Sequence, residues 1–221
     1  MLQQNDINNI KFPLINIRRT SNLAVAPINT FCLAIAIFMF AAPLMKWCEF
    51  RSTTMAVSFA CGGVCLYIIG IYNWYQNKTV DCFFDFMFSF LNLLICYHIK
   101  FSPSVGDDGT IKSPDLHLFE DYMIGTFFVL YLVVLLVLAL ANLKKGIIYL
   151  VFIGFLVLGD IFLIVWIYKK KDSSKKAIKN VRKTSGYFLF FASLVLWYTG
   201  VGKFINEIFE KNVVPMINYE P

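Results

Sequence analysis

The feature that most constrains this chain is a repeated one: six apolar stretches, each about 20 residues long, joined by polar connections. They run over 27–46, 53–75, 80–99, 122–143, 146–168 and 185–205. A helix of about 20 residues, rising 1.5 Å per residue, is what the roughly 30 Å hydrocarbon core of a bilayer requires. Lipid offers a backbone no hydrogen-bond partners, so each stretch must satisfy its own N–H and C=O groups as a helix. The alternation that barrel strands would show is absent. Composition points the same way. Only 15% of residues are charged, against about 25% in soluble domains, and mean hydropathy is +0.65. The expected fold class is an all-α membrane protein, a six-transmembrane-helix bundle, with no room left for a soluble domain.

Three regions are expected: a polar N-terminal arm, 1–26; a membrane domain, 27–205; and a short C-terminal tail, 206–221. The arm lacks the apolar run of a cleaved signal peptide. Two connections are long. The third, KFSPSVGDDGTIKSPDLHLFED, carries Pro, Gly and Asp turn signals. His98 and His117 flank it, either as pH sensors or as ordinary surface residues. The fifth, KKKDSSKKAIKNVRKT, reads as a solvated lysine-rich loop over 169–183. It can touch anionic lipid or steer carboxylates toward a mouth. Lys and Arg favour the odd-numbered loops because of this one run, which leans those loops toward the cytoplasm. The net charge of +6 is clustered and does not imply nucleic acid. Five of the six cysteines lie in apolar runs without a CxxC and read as small hydrophobes. No phosphate-binding loop, Ser/His/Asp arrangement or metal-ligand cluster stands out. Neither an enzyme, a metal nor a cofactor is expected.

Polar groups inside the apolar stretches are therefore the informative residues. An Asp at a helix centre costs roughly 2.5–3.5 kcal/mol on insertion scales. Asp85 lies well inside the third stretch and Asp160 deep in the fifth. Asp81 starts its helix, where the dipole suits a carboxylate. With Asp81 and Asp85, Ser89 and Asn92 make one stripe at helical spacing, which either lines a pathway or bonds helices together. Asp85 and Asp160 either exchange protons with a passing weak acid or only hold neighbouring helices. Lys203 either pairs with one of them or reaches for the interface alone. Asn29 and Tyr198 complete the expected polar pathway. Gly62, Gly63, Gly70, Gly200 and Gly202 permit close helix approach.

With the six stretches placed, a family resemblance emerges from the last one. SGYFLFFASLVLWYTGVGKFINEIFEKNVVP resembles the G-W…A-x-Y…N-E…V-L-P ending of the acetate uptake transporter family, which includes bacterial succinate–acetate permeases and yeast acetate/ammonia-related membrane proteins. The matching residues are Gly186, Tyr198, Asn206, Glu207 and Pro215. GIYNWYQNKTVDCFF resembles the family's G-x-x-E-Y-x-x-G-N-T-F turn, with Gly70 and Thr79 matching and Asn73 standing where the family has Glu. At the start of the first stretch only Ala26 and Pro27 match. The resemblance implies a six-helix protomer of a homo-hexamer in lipid, with termini in the cytoplasm, against the charge lean. It also implies a pathway for small carboxylates in each protomer, narrowed by a hydrophobic constriction. Carried over, the constriction residues are Leu33 and Phe88, with Phe155 or Leu156 from the fifth stretch.

The function expected from these readings is a multi-pass membrane channel or transporter for acetate-like monocarboxylates, proton-coupled, in the plasma membrane. A urea- or ammonia-type small-solute channel is the alternative within transport. A non-conducting scaffold or sensor is the alternative outside it.

Overall fold

The computed structural model describes residues 14–48, 56–101, 122–141, 146–169, 175–209 and 211–216. Among these, all regular structure is helical. The elements in chain order are α1 (Leu14–Leu44), a π-helical segment (Ser58–Cys65) running into α2 (Leu66–Tyr75), α3 (Thr79–Phe101), α4 (Tyr122–Ala141), α5 (Ile147–Lys169) and α6 (Lys175–Ile208). Among the described residues, four helices hold runs long and apolar enough to cross a membrane: Pro27–Leu44, Thr79–Tyr97, Ile147–Lys169 and Ala177–Ile208. Gly125–Ala141 in α4 is a shorter apolar run.

Two helices start earlier than hydropathy alone suggests. α1 begins at Leu14, inside the expected polar arm, and α6 begins at Lys175, inside the expected lysine-rich loop. Hydropathy marks where a helix enters lipid, and nothing prevents the helix from continuing into water. Arg182 shows what holds the early part of α6. Its guanidinium donates to the Pro43 carbonyl at 3.0 Å and lies 5.3 Å from the Trp166 ring centre, so it ties α6 to α1 and α5. Residues 1–13, the third loop with His117, 170–174 and 217–221 lie outside the described residues.

α6 packs between α1 and α5; α3 lies against α2 and the π-helical segment, which also touches α1; α4 rests on α5. The π-helical segment fits closely because Gly62 has no side chain. A Cβ there would come within 2.6 Å of the Asn92 side chain and 2.7 Å of Ala36. At the far end of α2, Asn77 takes a left-handed φ of 57°. The Lys78 N–H bonds back to the Asn73 carbonyl at 3.0 Å, and the Asn77 N–H to Trp74 at 2.9 Å. This Schellman closure turns the chain directly into α3 and fixes Asn73 beside it. Asp81 sits in the first turn of α3, where the helix dipole favours negative charge.

Candidate functional site

Three helices present stripes at helical spacing to a common axis: Asn29, Leu33 and Ile37 on α1; Asp85, Phe88 and Asn92 on α3; Phe152, Leu156 and Asp160 on α5. Two cavities of about 50 Å³ each lie along that axis. The first is bordered by Asn29, Asp81, Asp85 and Tyr149, with Leu33, Phe84, Phe152 and Leu196 at its apolar end. The second is bordered by Asp160, Tyr131 and Asn92 among apolar side chains that include Phe88 and Leu156. Residue numbers rise from the first cavity to the second along α1, α3 and α5 and fall along α6, from Leu196 to Leu189. The three odd-numbered helices thus run in one direction and α6 in the other. Asp160 stands eight residues beyond Phe152 on α5, which places the two acidic levels roughly 12 Å apart along that helix.

A layer of buried apolar side chains separates the cavities. Leu33, Phe88, Phe152 and Leu156 are all buried. The Phe84 and Phe88 rings are 4.6 Å apart, and Phe88 meets Tyr131 edge-on at 5.6 Å. The two candidates from the fifth stretch lie in different places. Leu156 borders the second cavity, while Phe155 turns toward α6, with its ring 6.3 Å from Phe188 and 5.8 Å from Phe191.

The two deep aspartates are held differently. Asp85 is 1% exposed and accepts hydrogen bonds from two amides: Asn29 Nδ2 at 3.0 Å from α1 and Asn73 Nδ2 at 2.7 Å from α2. Gly70 allows this approach, since a Cβ there would touch Phe86 at 3.1 Å and Asp85 at 3.4 Å. Asp160 is 4% exposed, and its Oδ2 is buried with no hydrogen-bond partner. The hydroxyl of Tyr131, equally buried on the same cavity, also has none. Sequence reasoning overlooked Asn73 and Tyr131. Asn73 had a signal, because it stands at the acidic position of the resembling family's turn. A lone Tyr in the apolar run of α4 gave none.

The polar stripe of α3 divides. Asp81 and Asp85 face the first cavity and Asn92 the second. Ser89 lines neither of them. It donates to the Gly63 carbonyl at 2.7 Å and so fastens α3 to the π-helical segment. Asn92 is committed on both atoms, accepting from Ser58 at 2.9 Å and donating to the Phe88 carbonyl at 2.8 Å. Lys203 joins neither deep aspartate in the pairs considered above. Its ammonium donates to the Tyr149 hydroxyl at 2.9 Å, behind the wall of the first cavity. Tyr198 is half exposed and borders neither cavity; its hydroxyl donates to the Pro215 carbonyl at 2.9 Å. Asn206 grips Val214 with two backbone bonds, at 2.9 and 2.8 Å. The tail motif therefore folds 211–216 back onto α6. Glu207 is half-buried nearby, and Gly186 brings α6 against the end of α1, where a Cβ would meet the Met45 backbone N at 2.9 Å. Among the described residues no group of acids, histidines or cysteines is placed to hold a metal ion.

The fold is similar to that of the bacterial acetate channel SatP, with a TM-score of 0.72 over 87% of this chain and 97% of that chain, at 14% sequence identity. No protein-family profile matches the sequence, and no curated protein does. The shared fold and the long apolar helices identify an integral membrane protein of the helical class.

Proposed function

We propose that the chain is a six-span membrane channel or transporter for acetate and similar small monocarboxylates, moving with a proton and assembled as a homo-hexamer. The observation that carries the reading is the pair of cavities stacked on one axis, each with a carboxyl group at its wall, divided by a thin apolar layer. The likeness in fold to an acetate channel supports the substrate class. In this reading Asn29, Asp85, Asn92 and Asp160 border the pathway, and Leu33, Phe88 and Leu156 form its constriction, joined by Phe152. Ser89, Phe155 and Tyr198 support the helices around it.

The physics favours a proton-linked solute. An unpaired carboxylate costs several kcal/mol in an apolar passage, and its neutral acid crosses far more easily. A scaffold would need no stacked cavities along its axis. The test is uptake of labelled acetate into liposomes containing the purified protein, across a pH gradient, with urea and succinate as competitors. Acetate should enter faster when the outside is acidic, with urea competing poorly. Absence of acetate uptake at every pH would overturn the reading, and urea uptake in its place would favour the small-solute alternative.

A further inference from the structure

We propose that the cavity between Asp160 and Tyr131 is a receptor for the undissociated form of a short monocarboxylic acid, so that the proton crosses on the substrate. This rests on the transport reading above and names the species recognised.

Two buried polar groups on one cavity have no partner: Asp160 Oδ2 and the Tyr131 hydroxyl. A buried polar atom without a hydrogen bond is costly, and in this chain the other deep aspartate is provided with two amide donors. The first cavity also has a buried acceptor without a hydrogen bond, Asn29 Oδ1, but only the second cavity sets a carboxyl oxygen and a hydroxyl, both without partners, on one wall. The remaining wall offers nothing that could neutralise a charge. α1 and α6 contribute only apolar side chains, and α3 contributes apolar side chains and Asn92. Both Asn92 side-chain atoms are already bonded. Tyr131, from α4, is the one other titratable group among the described lining residues, and none of them is Lys, Arg or His.

A carboxylate anion entering this space would meet Asp160 with no cation to balance it. An undissociated acid finds a complement. Its C=O accepts from the neutral Asp160 carboxyl, and its O–H donates back to Asp160, closing a cyclic pair of two hydrogen bonds. Tyr131 O–H adds a third bond to the acid's carbonyl, which has a second lone pair to offer. If protons exchange within the pair, each carboxyl gains the one the other releases, and both stay neutral. The alkyl end lies against Phe40, Phe88, Phe128 and Leu156. A cavity of about 50 Å³, at roughly 10–15 Å³ per water-sized group, takes an acid of two or three carbons and no dicarboxylate.

The amide of Asn also has one donor face and one acceptor, so Asp160→Asn keeps the cyclic pair while removing any proton exchange through residue 160. Asp160→Leu removes the pair and fills the space. Tyr131→Phe removes one hydrogen bond. The experiment is equilibrium binding of radiolabelled acetate to the purified full-length protein in detergent, at about pH 5 and about pH 7, between which the ratio of anion to undissociated acid rises about a hundredfold. The expected result is one dissociation constant at both pH values when concentrations are expressed as undissociated acid. Binding should be kept in Asp160→Asn, be at least about tenfold weaker in Asp160→Leu, and be about fivefold weaker in Tyr131→Phe. Binding that follows the anion concentration, or that survives both Asp160→Leu and Tyr131→Phe unchanged, overturns the proposal. So does an Asp160→Asn protein as deficient as Asp160→Leu. Because binding is read without transport, a protein that binds this way yet moves no acetate into liposomes refutes the transport reading and leaves the receptor standing.

Discussion

Asp85 and Asp160 are the same side chain, buried to the same degree in one helical bundle, and their surroundings are opposite. Asp85 receives an amide from α1 and another from α2. Asp160 keeps an oxygen with no partner and faces a cavity instead. An acceptor met by two donors is a finished structural joint, since breaking it leaves a buried polar group unmet. An acceptor on a cavity wall beside a second hydroxyl without a partner is, in the proposed reading, completed by a small solute. In the proposed reading, the α1–α2–α3 side of the bundle holds helices together and the α4–α5 side recognises the solute.

The sharpest way to break that comparison is to remove the layer between the two levels. Phe88→Ala deletes a buried ring in contact with Phe84 and Tyr131. It should cost about 3–5 kcal/mol of stability, as buried aromatic truncations do, and should admit acids larger than the wild type accepts. Thermal unfolding in detergent and uptake of four- and five-carbon acids check both parts. Next comes the joint itself. Asn73→Leu withdraws one donor from Asp85 and should lower stability by about 2–3 kcal/mol, again read from thermal unfolding. Asn29→Leu should follow it more weakly, its bond being the longer and less buried. Smallest is Asp160→Leu. With no hydrogen bond lost at Oδ2 and an apolar group added to a largely apolar cavity, its unfolding temperature should stay unchanged or rise, a shift within about 1 kcal/mol. Equal losses in Asn73→Leu and Asp160→Leu would erase the distinction between the two aspartates.

Much of this architecture is legible in the sequence because hydrocarbon thickness sets helix length. The apolar stretches at 80–99, 122–143 and 146–168 lie within a few residues of α3, α4 and α5. Where water replaces lipid the constraint disappears, so the early turns of α1 and α6 went unread. The π-helical turn at Ser58–Cys65 has no hydropathy signature either. Its cause is local: Gly62 and Gly63 let α1 and α3 come close, and Ser58 bonds to Asn92 while the Gly63 carbonyl accepts from Ser89. For the site, the cost of a buried acid singled out Asp85 and Asp160 as residues needing explanation, and both are buried. It could not say which had a partner, because partners come from other helices. Helical spacing put Ser89 on the face of Asp85, yet spacing does not say which neighbour each turn of that face meets.

The most direct test of the account is acetate flux into protein-containing liposomes at matched undissociated acid, at about pH 5 and about pH 7. Matching the acid at the higher pH raises the anion concentration about a hundredfold. Equal initial rates at the two pH values, with the same result in Asp160→Asn, are what a pathway for the neutral acid predicts. A rate that climbs with the anion would contradict it.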